Sequence, residues 1–499
     1  MAESLVRFGS QTLALHRFGL GARPDERVGS DPRGWVIDQL RRYDPAPKAL
    51  DGLPTRAALI TTFADYRADV RRQRNRQSEQ SSEAMMEMAE PAMSDEQTTD
   101  PARQRLRDRA GGGMNPLRQE LIRAGNARIS SALQTDTPFA ERLVHFWSNH
   151  FAVSADKQPV VPLAGNYEFN AIRPYIMGNF RNLLIAAITH PAMMLYLDQA
   201  QSVGPNSPLG QRSAQRRGGN GRALGLNENL AREILELHTL GVRTGYSQQD
   251  VTELARALTG WTVAGMARGR FARLVEGEPG ETRFIAAMHE PGARTILGKN
   301  YAETGREQAA AILADLARSP KTARHIATKL ARHFAADSPP ETMVARLERA
   351  YLQSDGDLPA VYQALVDSPE AWDASSLKFR SPWDWAIAML RSAGADRLPG
   401  QRGAVPVFMQ LGQGIWMPGS PAGWGDRTET WAGPGALMMR VEVAQQIAGR
   451  IGDRLDPREV AANAIPDGLS ENTRLAIARA EQPATGMAVL FSSPEFLQR

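Results

Sequence analysis

LNENLAREILELHTLGVRTGYSQQDVTELARALTGWT, residues 226–262, is the stretch from which the fold can be read. Asn227 is a natural N-cap ahead of the apolar set Leu230, Ile234 and Leu237. Gly241 stands where a left-handed residue closes a helix, so the spacing predicts a helix over residues 228–240. Ser247, followed three residues later by Asp250, resembles a capping box with a shortened acid. It opens a second helix with Val251, Leu254, Ala255, Leu258 and Trp261 on one side.

On the first helix Glu228, Arg232 and Glu236 recur every four residues on the outer face, as an ion-pair ladder does. Glu233 and His238 fall instead among Ala231, Ile234, Leu237 and Leu240, towards the core. A buried carboxylate must be paired, protonated or bound to something, so Glu233 requires a partner. The polar groups of residues 146–150 and Arg256 are the candidates.

Outward from these helices the chain is mostly helical in period. Residues 11–18, 32–42 and 55–71 read as helices around the turn GLGARPD. Residues 72–115 are charged and polar with little apolar periodicity, as in a variable, partly disordered linker. Helical pattern resumes over 116–155, ending in ERLVHFWSNHFAVSAD, and over 167–178, 180–189 and 192–199. An arginine-bearing loop, residues 202–225, leads into the first signature helix and has the character of a flap. Period two takes over in FARLV (271–275) and TRFIAAM (282–288), which predicts a hairpin near 271–297. Helices return over 304–318, 322–336, 340–353, 359–366 and 382–394. Serine precedes proline at Ser319, Ser368, Ser381 and Ser493, a capping pattern. Trp416, Trp424 and Trp431 share a glycine- and proline-rich loop that either stacks a sugar, base or partner, or pins the C-terminal helices to the body.

The expected fold is therefore mainly α, a multi-helical single module with a short β-hairpin insertion. Its parts are a 1–71 N-terminal helical segment, the 72–115 linker, a 116–397 helical core carrying the signature helices and hairpin, and a 398–499 C-terminal part with the tryptophan loop and helices.

With 499 residues and 42% hydrophobic content the chain can bury a large core. It has no cysteine, which excludes disulfides, thiolate metal sites and cysteine nucleophiles. A net charge of +4 over this length is too small an excess to suggest nucleic acid. No stretch approaches the roughly 20 apolar residues of a membrane span, and the first residues lack the apolar run of a secretory signal. As written, the chain reads as soluble and cytoplasmic.

Three ionisable side chains, His150, Glu233 and His238, lie on core-facing arcs, and His289, beside Glu290, joins them from the hairpin region. Glu233, His238, His150 and Glu228 are the catalytic candidates. Asn149, Trp147, Asn227, Asn229, Arg232, Trp261 and His289 are the candidates for holding a substrate. His150, Glu233 and His289 would suit a divalent zinc, iron or manganese ion. Neither HExxH nor ExxH occurs, however, and Glu233 and His238 are roughly 140° apart on a helix, so structural hydrogen bonding is the simpler reading. Glu228 and Glu233 as paired glycosidase carboxylates meet the same objection, since they fall on different faces. No nucleophile elbow, Walker loop or dinucleotide fingerprint is present in a strand-to-helix setting.

The signature, together with ALHRFGLGARP (14–24), FWSNHFAVS (146–154), ITHPAMMLYLD (188–198), HEPGARTILG (289–298) and ATKLARHFAAD (327–337), resembles the bacterial family known as domain of unknown function 1800. The resemblance covers most of the chain and implies a shared architecture without an activity. It also implies that export to the periplasm or beyond is common. A second family, similar to phosphatases and sulfatases, is often encoded nearby, which implies a paired role. The expected function is an enzyme, a hydrolase, whose pocket lies between the FWSNH and NENLAREILELH helices. The alternative is a noncatalytic helical scaffold, or a partner of that phosphatase- or sulfatase-like protein. Buried polar groups converging on a cavity favour the enzyme, and a cavity-free core with an exposed tryptophan loop favours the scaffold.

Overall fold

The structure, a computed structural model, describes residues 7–87, 115–215, 225–266, 274–396 and 405–499. The chain is mainly α-helical, with two two-stranded antiparallel hairpins among the described residues. One continuous apolar cluster runs from Phe8 to Phe496.

The helix Pro138–His150 is central to that cluster. Proline opens it without wasting a backbone donor, and Phe139, Leu143, Val144, Phe146, Trp147 and His150 are all buried. Each fully buried large apolar side chain contributes about 1.5–3 kcal/mol. The Phe139 N–H donates to Gln39 Oε1 at 2.7 Å, tying this helix to Pro32–Arg42. On its other side the Phe146 ring lies 5.3 Å from His333, in the helix Pro320–Phe334. The helix Pro382–Ser392, capped by Ser381, packs on Pro116–Gln134.

The signature folds with one departure from expectation. Asn227 caps it through Asn229 N, but the α-helix runs only from Asn229 to Glu233. A π turn, Ile234–His238, follows, with Thr239 Oγ1 donating to Ile234 O. The wider turn changes the phase. Leu235 becomes buried while Leu237 stays partly exposed, and Glu233 is only half-buried. Gly241 has the expected positive φ of 96°. The second helix, Gln248–Leu258, carries the complete Ser247–Asp250 capping box.

The hairpin pairs differently from its expected form. Gly260, at φ 92°, ends the helix, and Trp261 enters strand β1 (Trp261–Val263) rather than a helical face. β1 pairs with β2 (Thr282–Phe284), in register Trp261 to Phe284. β3 (Arg294–Ile296) and β4 (Lys299–Tyr301) form a second hairpin. In FARLV, residues 271–273 lie outside the described residues, and Leu274 and Val275 are not in a strand.

The helix expected to end at residue 71 continues, as Arg56–Glu87, into the segment read as linker; residues 88–114 lie outside the described residues. Of the serines expected to cap, Ser381 accepts from Asp384 N and Ser493 from Phe496 N. Ser319 and Ser368 make no side-chain cap. Among the described residues no helix is long and apolar enough to cross a membrane.

Candidate functional site

The expected pocket between the FWSNH and signature helices is a packed layer. His150 and His238 do meet there, with ring centres 6.2 Å apart, and His325 lies 6.1 Å from His150. His150 Nε2 pairs with His238 O at 3.1 Å, and Phe151 and Trp147 press on its ring. Burial holds His150 well below its usual pKa and lowers His238 to about 3. Both rings are therefore neutral at pH 7. Neither nitrogen of His238 has a hydrogen-bond partner among the described residues.

The other expected residues are dispersed. Among the described residues Glu233 makes no side-chain hydrogen bond or ion pair. Burial and the neighbouring Glu236 raise its pKa, and Arg256 pairs with Glu253 instead. The core-facing, partnered carboxylate read from the sequence is thus corrected: the π turn that follows Glu233 shifts Leu237 out of the buried face, and Glu233 is half-exposed. Glu228 accepts from Thr252, Gln248 and Arg232 in a surface network, and Arg232 also reaches Glu236, which completes the ladder. Asn227 caps its helix and Asn229 is exposed. Trp147 is buried and donates to the Tyr362 hydroxyl at 2.6 Å, a core role. Trp261 packs edge-on to Phe284 and lines a small apolar cavity. His289 pairs with Thr259 O at 2.8 Å, and Glu290 with Asn206. His150, Glu233 and His289 are not brought together, and among the described residues no group of three His, Asp or Glu is arranged to hold a metal.

A cavity of about 370 Å³ opens on the other side of the FWSNH helix. Its walls are that helix, Pro320–Phe334, the segment 378–384, the tryptophan loop and the Arg499 side chain. Asn149 and His150 are the only expected site residues that line it. Cations dominate the lining: Arg128, Arg142, Lys329, Arg332, Lys378, Arg427 and Arg499, against Asp384 and Asp426.

Several of these cations are committed to the fold. Arg142 donates to Gly19 O and Asp384 Oδ1, and Lys378 to Arg332 O and Asp426 O at 2.6 Å each. Arg128 pairs with Glu168 and stacks over Trp383 at 4.3 Å. Others keep capacity. Among the described residues Lys329 makes no side-chain hydrogen bond or ion pair, and burial lowers its pKa to about 8 against the pull of Asp426. Arg499 is 3% exposed, and its Nη1 is buried without a hydrogen-bond partner. Its Nε lies 3.1 Å from Asp384 Oδ2. Buried donors left unpaired cost about 1–3 kcal/mol each, more when charged, so such a wall favours an anion.

His333 completes the wall. Its Nδ1 is 3.2 Å from both carboxylate oxygens of Asp426, and its Nε2 is buried without a partner among the described residues. Burial lowers its pKa to about 4 despite Asp426. Burial alone would raise the Asp426 carboxyl, but His333, Lys378 and Arg499 outweigh it and hold the group ionised. The pair is therefore an imidazole fixed in one tautomer by a carboxylate, its second nitrogen free to accept a proton.

The tryptophan loop closes the cavity. Asn149 grips both main-chain groups of Trp424, donating to its O at 2.9 Å and accepting from its N at 2.7 Å. Gly423, at φ 79°, allows this approach, since a Cβ there would meet Asn149 O at 2.4 Å. Trp416 is buried against Arg128 and Phe169 and donates to Glu168, so this part of the loop is a pin.

The sequence reading missed Lys329, His333, Asp384, Asp426 and Arg499. One signal was present: His325, Lys329 and His333 recur every four residues, a polar stripe on one face of Pro320–Phe334.

Residues 13–498 match the family model described as "Protein of unknown function (DUF1800)". No curated protein and no solved structure matches the chain.

Proposed function

The chain belongs to the DUF1800 family, whose description carries no activity, and from its cavity we propose that it is a hydrolase acting on an ester of an anionic substrate. The observation that carries this reading is His333, oriented by Asp426 through Nδ1 and unpartnered at a buried Nε2 in the wall of a cation-rich cavity.

A water that reaches the covered Nε2 gives its proton to the imidazole as its oxygen bonds to the phosphorus, sulfur or acyl carbon of the ester. The bond to the leaving oxygen then breaks, and that oxygen takes a proton from the Lys329 ammonium. Lys329 stands four residues before His333 on the same helical face, and its pKa of about 8 leaves it charged yet able to give up a proton near neutrality. His333 is neutral when the site is empty. Negative charge arriving with the substrate raises its proton affinity when the reaction needs it. Arg332 and Arg499 balance the anion.

A noncatalytic scaffold has less support. Polar groups converge on a cavity, and Trp416 and Trp431 are buried rather than displayed. The test is hydrolysis of p-nitrophenyl phosphate, sulfate and acetate by the wild type and by His333→Gln. Turnover that falls 10²–10⁴-fold in the variant is expected. Undiminished turnover in the variant, or anion binding by the wild type with no turnover of any ester, overturns the hydrolase reading.

A further inference from the structure

Four tryptophans border the cavity: Trp383, Trp416, Trp424 and Trp431. Three have spent their indole N–H, on His145 Nδ1, Glu168 Oε2 and Gly425 O respectively. Trp424 makes no such bond among the described residues, and it is half-buried where Trp416 and Trp431 are buried. Its backbone is nevertheless fixed at both ends by Asn149, and its ring leans on Trp431, with centres 5.8 Å apart and planes at 51°. A partly exposed aromatic face held this rigidly, with a free donor on its edge, is a stacking platform. At 51° to Trp424, Trp431 forms no parallel slot with it, which suits a saccharide ring better than a nucleobase.

The rest of the lining agrees. Gln413 gives its carbonyl to Trp383 N at 2.7 Å and keeps its amide N–H groups, and Ser381 accepts from Asp384 N and keeps its hydroxyl proton. These neutral donors match hydroxyl groups. Lys329, with no partner, and Arg499, with an unpaired buried Nη1, match an acidic group.

We infer that the ligand of this cavity is an anionic sugar, its ring on Trp424 and its phosphate, sulfate or carboxylate group near Lys329 and Arg499. This rests on the cavity being the functional site, and it does not depend on hydrolysis.

The test is calorimetric titration of the full chain with glucose 6-phosphate, glucosamine 6-sulfate, glucuronate, inorganic phosphate, inorganic sulfate and adenosine monophosphate. At least one sugar anion is expected to bind tenfold or more tighter than the matching inorganic ion and tighter than the nucleotide. Trp424→Ala should remove that advantage and leave the affinity for inorganic phosphate or sulfate unchanged. Trp424→Phe should keep most of the advantage, and Lys329→Met should weaken every anion. Melting curves establish that each variant is folded. Sugars no better than the bare ions, a preference for the nucleotide, or an unchanged Trp424→Ala overturns the sugar inference while leaving the anion site standing. Failure of every anion to bind overturns the site itself, and the inference with it.

Discussion

His333 in the helix Pro320–Phe334 and Asp426 in the tryptophan loop, 93 residues apart in sequence, meet with Nδ1 3.2 Å from both carboxylate oxygens. The same carboxylate lies 3.6 Å from Lys378 and 3.8 Å from Arg499, so one acid orients the imidazole and balances two cations. Asp426→Asn should therefore lower hydrolysis as far as His333→Gln does, because an amide no longer selects the tautomer. It should also lower stability, as His333→Gln does not. About 31% of the Asp426 side chain is exposed, so solvent moderates the loss to about 1–3 kcal/mol. Urea unfolding of both variants, run beside their turnover, checks the pair; equal stability in the two would remove the counter-charge role of Asp426.

Acid should destabilise the protein well before its carboxylates protonate. Folding lowers His238 and His190 to about 3 and His325 and His333 to about 4, from an ordinary 6.5. Between those limits the unfolded chain binds more protons than the folded one. Stability is then complete above about pH 6.5 and falls as pH drops towards 3. His238→Gln removes one contributor and should flatten the curve. Urea midpoints at pH 7.5, 6 and 5 measure it, and a level midpoint across that range would mean that these rings find water.

How much was legible follows from how local each determinant is. The Ser247–Asp250 capping box, the Glu228–Arg232–Glu236 ladder and the turn at Gly241 depend on residues within a few positions of one another, and the sequence reading matches them. The π turn at Ile234–His238 does not follow from apolar spacing, and it changes the phase of Leu237, the residue beside which Glu233 is expected. β1 was hidden because Trp261 continues the apolar spacing of the helix before it until Gly260 breaks the phase. The cavity was harder still. Lys329 and His333, Asp384, Asp426 and Arg499 come from four separate segments, and only the stripe His325–Lys329–His333 showed within one element. Trp424 was read as a member of a loop, but the grip of Asn149 on it is a contact across 275 residues.

Glu233→Gln should leave stability unchanged or raise it slightly. Among the described residues the group has no hydrogen-bond or ion-pair partner, and burial and Glu236 raise its pKa despite Arg232, so the folded state penalises its charge at every pH above the unfolded value. Removing that charge is worth at most about 0.5 kcal/mol at a half-exposed position. Thermal melting at pH 7 decides it. A fall of several degrees would mean that Glu233 holds a partner on which the fold depends.

Releasing the loop that holds Trp424 separates the platform from the core beneath it. Asn149→Ala deletes both hydrogen bonds to Trp424, and Gly423→Ala forces a Cβ into the space of Asn149 O while straining a positive φ, so both release the same loop from opposite sides. The loop stays anchored elsewhere, by Trp416 N–H on Glu168 and by Ala155 N donating to Trp416 O at 2.7 Å. The cost to global stability should therefore remain about 1–2 kcal/mol in each variant. Ligand affinity should fall about tenfold or more, because the ring that stacks the ligand is no longer held in place before binding. The two changes should not add, since either one alone frees Trp424. Titration of the single and double variants with the best-bound sugar anion tests this: additive losses would show that Asn149 and Gly423 act on the ligand separately, and unchanged affinity would show that the position of Trp424 does not matter.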